Sequence, residues 1–213
     1  MKIKTELDQY IENHSEDEDD ILFDLNRETH LKLFNPRMLS GKLQGQILES
    51  FSRMINPANI LELGTYTGYS AICLSKGLTP NGKLITIEID DEVLVIAKKY
   101  FLKADLSQKI EIKIGDASEI IESLENKFDL VFIDADKTQY VDYYEKIISK
   151  VNSGGYLIAD NVLWDGKVVE KNIKSNDYMT KGILDFNEYV QNDDRVSNYI
   201  LPIRDGMMII RKR

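Results

Sequence analysis

Residues 60–70 read Ile60-Leu61-Glu62-Leu63-Gly64-Thr65-Tyr66-Thr67-Gly68-Tyr69-Ser70. An apolar strand ends in an acid and two glycines, and a helix starts near Tyr69. Glycine at 64 and 68 lets the backbone turn sharply and approach a ligand closely. A strand–loop–helix unit of this kind holds a nucleotide-like cofactor at the helix N-terminus; the plainer alternative is a simple turn. In the dinucleotide fingerprint, Gly-x-Gly-x-x-Gly, the second glycine admits a pyrophosphate. Tyr66 takes that place here, which weighs against a nicotinamide-dependent oxidoreductase. The acid ahead of the first glycine suits a cationic group instead, such as the methionyl ammonium of S-adenosylmethionine (SAM).

Outward from this unit the chain alternates strand and helix. Candidate strands are Asn59–Leu63, Lys83–Glu88, Ile110–Ile114, Leu130–Asp134 and Tyr156–Ala159, with helices at Tyr69–Leu78, Glu92–Leu102, Ala117–Glu122, Gln139–Lys150 and Tyr178–Gln191. Near-continuous apolar runs such as Leu130-Val131-Phe132-Ile133 imply strands buried on both faces, hence a parallel sheet with helices on each side. Val196–Leu201, the turn at Asp205-Gly206 and Met207–Arg211 read as a hairpin. The expected fold is therefore an α/β doubly wound sheet of about seven strands, the last two antiparallel. Before Asn59 the pattern is helical. A short helix runs from Ile3 to Asn13; a capping box at Ser15 and Glu18 predicts another from Glu16 into the low thirties. Pro36 ends that pattern, and Ser40 can cap a third helix carrying Leu43, Ile47, Leu48 and Phe51. Residues 1–56 thus form a helical extension, over the sheet's ligand-binding edge or at a partner interface, on a core of residues 57–213 within one domain.

The length of 213 residues suits that single domain, and 43% hydrophobic with 30% charged residues is the balance of a soluble globular chain. A net charge of −9 weighs against broad nucleic-acid contact. Lys98, Lys99 and Lys103, and the tail Arg211-Lys212-Arg213, read as solvated surface. No apolar run is long enough to span a bilayer, and residues 1–6 lack the apolar core of a signal peptide. Cys73, the single cysteine, sits between apolar neighbours and reads as a buried small side chain rather than a nucleophile. These points favour the cytoplasm.

In a doubly wound sheet ligands sit beyond the carboxyl ends of the strands. The second strand ends in Glu88, about where an acid binds ribose hydroxyls. The third ends Gly115-Asp116-Ala117, where Asp116 can meet an adenine amino group, cap the next helix, or do both. The fourth and fifth end in Asp134 and in Asp160-Asn161. Singly, each acid reads as a cap or turn residue. Together, two carboxylates and an amide oxygen form a hard donor set for Mg²⁺, Mn²⁺ or Ca²⁺.

At this point the chain resembles a known family. Pro36-Arg37-Met38, Gln44-Gly45, Glu62 to Ser70, Phe132-Ile133-Asp134-Ala135-Asp136-Lys137, Asp160-Asn161-Val162-Leu163-Trp164-Asp165-Gly166 and Leu201-Pro202-Ile203-Arg204-Asp205-Gly206 are similar to the cation-dependent SAM O-methyltransferases, which include the caffeoyl-CoA and catechol enzymes. The resemblance implies the class I SAM methyltransferase (Rossmann-like) sheet of seven strands and a cytoplasmic homodimer. It places Glu62, Gly64, Ser70, Glu88, Asp116 and Ala117 at cofactor-binding positions. Met38 falls on the segment closing over cofactor and acceptor, and Asp136 and Tyr143 near the cofactor's amino-acid end. Asp134, Asp160 and Asn161 fall on the metal ligands, and Lys137 on the lysine that deprotonates the acceptor hydroxyl. Asp205 falls on an acceptor-contacting acid. Apart from the resemblance, Tyr66 reads as lining the cofactor pocket and Trp164 the acceptor pocket, with core packing as the alternative for each. Arg204 departs from the caffeoyl-CoA branch, which commonly has glycine there.

The expected activity is metal- and SAM-dependent methyl transfer to a hydroxyl of a catechol-like or other vicinal-oxygen small molecule. Methylation of 5-hydroxyuridine in tRNA is the alternative that keeps the chemistry. A non-catalytic SAM-binding protein is the other, and the joint presence of Asp134, Lys137, Asp160 and Asn161 argues against it. His14 and His30 lie outside these motifs, on helix surfaces.

Overall fold

The computed structural model describes residues 5–213. Seven strands form one sheet: β1 (Asn59–Leu63), β2 (Lys83–Glu88), β3 (Ile110–Ile114), β4 (Phe128–Ile133), β5 (Val151–Asp160), β6 (Val196–Leu201) and β7 (Met207–Lys212). Their spatial order is β3-β2-β1-β4-β5-β7-β6. The first five are parallel. β7 runs antiparallel between β5 and β6, so the expected hairpin forms and its second strand inserts into the sheet. The order reverses at β1, between β2 and β4, which opens a crevice at the carboxyl ends there.

Alternation sends the two strand faces into two apolar layers. Leu61, Leu63, Val131, Ile133, Leu157 and Ala159 pack under α6 (Ala117–Ser123), α7 (Tyr140–Ile148) and α8 (Tyr178–Gln191). Ile60, Leu84, Leu130, Phe132 and Ile158 face α3 (Gly41–Ile55), α4 (Tyr69–Ser75) and α5 (Leu94–Lys103). Cys73 is buried in the second layer, as its apolar surroundings imply. Among the described residues no helix is long and apolar enough to cross a membrane.

The extension differs in detail from its reading. α1 spans Glu6–Asn13; the expected start at Ile3 lies outside the described residues. α2 starts at Asp20, not Glu16, and runs to Lys32. Asp19 caps it by accepting from the Leu22 amide at 2.9 Å. This later start leaves Ser15 to bond the Ile11 carbonyl and Glu18 to accept from the Tyr69 hydroxyl. Capping by Asp19 turns Leu22, Leu25 and Thr29 inward. Glu28 docks the helix by accepting from Lys99 at 2.5 Å and Tyr100 at 2.8 Å; Lys32, Lys99 and Tyr100 together hold its carboxyl down at about 2. Ser40 precedes α3 but makes no side-chain cap. Between α2 and α3, the turn Pro36–Met38 reaches the crevice.

Candidate active site

A cleft of about 730 Å³ opens at the carboxyl ends of the strands, within the usual range for a small-ligand site. The β1–α4 loop forms its floor. Gly64 has φ 95° and Gly68 φ 88°, a left-handed backbone that favours glycine. A Cβ on Gly64 would stand 2.2 Å from the Asp134 carbonyl oxygen, so only glycine lets β1 and β4 close here. Tyr66 also has positive φ, 48°. Its amide donates to Glu88 Oε2 at 2.7 Å and its hydroxyl to the Asn35 carbonyl at 3.1 Å.

Glu88 ends β2 with a fixed carboxylate, for Oε1 accepts from the amides of Ile89 and Asp90. Asp116 caps α6 through Oδ1, accepting from Ser118 and Glu119. The capping role is thus present, beside the cleft. Asp136 accepts from the amide and hydroxyl of Thr138 and from Gln139. Burial pushes its carboxyl up, but these bonds and Lys137 outweigh burial and leave it below the usual range. Burial, then Asp136 and Asp116, lift the Tyr143 hydroxyl to about 12, so it stays protonated at neutral pH.

At the other end of the cleft Lys137, almost wholly buried, places Nζ 2.6 Å from Asp134 Oδ1 and 2.8 Å from the Tyr140 hydroxyl. That hydroxyl donates to the carbonyls of Ile133 at 3.1 Å and Asp160 at 3.2 Å, tying β4 to β5. Asp160 accepts from Gln44 Nε2 at 2.6 Å on one oxygen and from the Asn161 amide at 2.8 Å on the other. Burial, then the nearby Asp134 charge, raise its carboxyl to about 6. Asn161 turns out of β5 at φ 59°. Asp134, Asp160 and Asn161 line the same cleft. Two carboxylates and an amide, with one ammonium beside them, fit a divalent cation by charge and donor hardness. Among the described residues no group of three His, Cys, Asp or Glu side chains could hold a metal, so such a site depends on the Asn161 amide.

The structure brings Met38, Gly64, Tyr66, Ser70, Glu88, Asp116, Ala117, Asp134, Asp136, Lys137, Tyr143, Asp160, Asn161 and Trp164 to this one cleft. It does not bring Glu62 or Asp205 to the lining. Glu62 points with Ile60 toward α4, fully buried, and accepts from Thr86 Oγ1 at 2.6 Å while Oε1 has no partner. Burial raises its carboxyl to about 8; the hydroxyls of Ser70 and Thr86, of which only Thr86 makes a full hydrogen bond, oppose this, and the charges of Asp134 and Glu88 add to it. Asp205 accepts from the Asp165 amide and so anchors the loop after β5. Sequence reasoning missed Tyr140, Met179 and the contact of Gln44 with Asp160. Tyr140 stands three positions after Lys137, a spacing that pairs side chains on one helical face; nothing local marks the other two.

A family model described as O-methyltransferase matches residues 12–213. The chain belongs to the O-methyltransferase family. Its chemistry is SAM-dependent methyl transfer rather than hydride transfer. A caffeoyl-CoA O-methyltransferase 5 from Nicotiana tabacum is 32% identical over 188 residues, 82% of this chain and 77% of that protein. A catechol O-methyltransferase from Niastella koreensis is 35% identical over 175 residues, 78% of each. The crystal structure of the O-methyltransferase from Bacillus cereus in complex with SAH matches with a TM-score of 0.90 at 28% identity, covering 98% of both chains. The seven-stranded Rossmann-like sheet is the one expected.

Proposed function

We propose that this enzyme methylates one of two neighbouring hydroxyls on a small, planar acceptor, with a divalent cation, Mg²⁺ first, held by Asp134, Asp160 and Asn161. One observation supports this above the rest: hard oxygen donors from the ends of β4 and β5 face one cleft beside a buried lysine. SAM supplies an electrophilic methyl on its sulfonium. A bound cation supplies charge that gathers adjacent acceptor oxygens and lowers a hydroxyl pKa.

The chain's own residues do the rest. Glu88 accepts ribose hydroxyls, and Asp116 and Ala117 flank the adenine. Gly64 admits the methionyl end beside Ser70, Asp136 and Tyr143. Lys137, once it has given its own proton to solvent, takes the acceptor proton at Nζ, which Asp134 and Tyr140 hold in place from two sides. Positioned proton transfer of this kind is worth ~10²–10⁴ in rate. Met38, Met179, Tyr66 and Trp164 give the cleft apolar walls, which suit an aromatic acceptor, and exclude water from the reacting oxygen.

The test is methyl transfer from SAM to catechol, a caffeoyl thioester and hypomodified tRNA, with Mg²⁺ and after rigorous chelation. Transfer to the diols that chelation abolishes and Mg²⁺ restores is expected, with SAH binding retained throughout. Undiminished transfer after chelation removes the cation from the mechanism; transfer to tRNA alone overturns the small-molecule acceptor. Asp160→Ala is expected to lose most turnover while remaining folded.

A further inference from the structure

We propose that Arg204 is a positioning residue: through Gln44 it braces the Pro36–Met38 wall of the cleft to the Asp160 carboxylate. This rests on the methyl-transfer reading for its kinetic consequence, but not for its geometry. Arg204 lies in the turn between β6 and β7, at the cleft lining, far in sequence from the groups its Nη1 bonds. Its Nη1 donates to the carbonyls of Leu39, at 3.2 Å, and Ser40, and to Gln44 Oε1 at 2.8 Å. Leu39 and Ser40 directly follow the Pro36–Met38 turn, so the guanidinium clips that turn against the sheet's edge.

The second arm runs inward. A guanidinium only donates, so Arg204 compels Gln44 to present its oxygen outward and its amide nitrogen to Asp160 Oδ2 at 2.6 Å. Gln44 and Asp160 are buried, at 1% and 4% exposure, and each end of the amide therefore has a defined partner. Arg204 holds φ 51°, a region where a side chain is disfavoured and glycine is not. A side chain at this position, with Nη1 committed to the cleft wall and to the amide that reaches Asp160, serves the site rather than the turn.

Without the brace, the 35–40 segment and Asp160 must be ordered when ligand binds. A binding-competent state that is only partly populated weakens apparent affinity in proportion, so the loss in kcat/KM falls mainly on KM. The experiment compares Arg204→Met, which keeps the stem and removes the donors, with Arg204→Gly, which suits the backbone. Hydrogen exchange on the ligand-free proteins is expected to speed up at least tenfold at the amides of Met38 and Leu39, which bond Asn35 and Pro36. Exchange at Ile133 and Asp134 stays as in the wild type. With SAM and catechol, KM for SAM rises at least fivefold and accounts for most of the lost efficiency. Unchanged exchange at Met38 and Leu39 in both variants overturns the brace. A fall in kcat with KM unmoved overturns the positioning role. The exchange arm needs no turnover, so a failure of the methyl-transfer reading shows separately, as an inactive wild type.

Discussion

Replacing Glu62 with Gln should change how stability depends on pH more than it changes the fold. The Glu62 carboxyl is fully buried, and burial raises it from 4.5 to about 8. The native state therefore keeps a proton that the unfolded chain releases above 4.5. Stability from this group is complete below that value, falls as pH rises, and levels off above about 8. At about 1.4 kcal/mol per pH unit, the whole window is worth ~5 kcal/mol. Asp160, raised from 3.8 to about 6, slopes the same way but only at lower pH. Glu28 and Asp193, both lowered to about 2, lose their contribution as pH falls through the acid range. Between pH 6.5 and 8.0 Glu62 is left to dominate, and the wild type should lose ~2 kcal/mol there. Glu62→Gln carries no such charge and should be nearly flat. Its amide still accepts from Thr86, and its NH₂ takes the place of the unpartnered Oε1, at a pH-independent cost of ~1–3 kcal/mol. Urea unfolding at pH 6.5, 7.25 and 8.0, read as the difference between the two proteins, isolates the slope. Parallel curves would refute the reasoning, because they would mean that Glu62 has the same proton affinity folded and unfolded.

Lys137→Met keeps the buried stem and removes the ammonium; kcat should fall ~10²–10⁴-fold in single-turnover assays, with SAH affinity by calorimetry nearly unchanged. Tyr140→Phe deletes the hydroxyl that joins Lys137 to the Ile133 and Asp160 carbonyls. It should cost ~1–3 kcal/mol of stability in urea unfolding. Gly64→Ala forces a Cβ to within 2.2 Å of the Asp134 carbonyl at φ 95°. The backbone must shift, so thermal unfolding should show a loss of ~2 kcal/mol or more and calorimetry a collapse of SAH binding.

The sheet was legible locally because strand burial writes itself as apolar runs. Asn59–Leu63, Lys83–Glu88, Ile110–Ile114 and Val196–Leu201 stand as read, and α8 as well. So were the glycines of the β1–α4 loop, since a left-handed backbone leaves few alternatives. Helix starts were less legible: Ser15 and Asp19 are both competent caps, and only the packing of Leu22 and Leu25 selects the second. In the site, strand ends could be read because a parallel sheet delivers them all to one edge. Next to that edge, as at Glu62 and Asp205, a residue can point into the crevice or away from it, and pleat and turn geometry decide which.

The order of elements, the crevice and the residue types at its rim therefore follow from local sequence, through periodicity and backbone constraints that act over a few residues. Which side chains far apart along the chain share a hydrogen bond was fixed only on folding. Gln44 with Arg204 and with Asp160 pairs a buried amide with groups 160 and 116 positions away along the chain. Such groups take whichever partner the packed chain brings within 3 Å, and no local rule of spacing names that partner in advance.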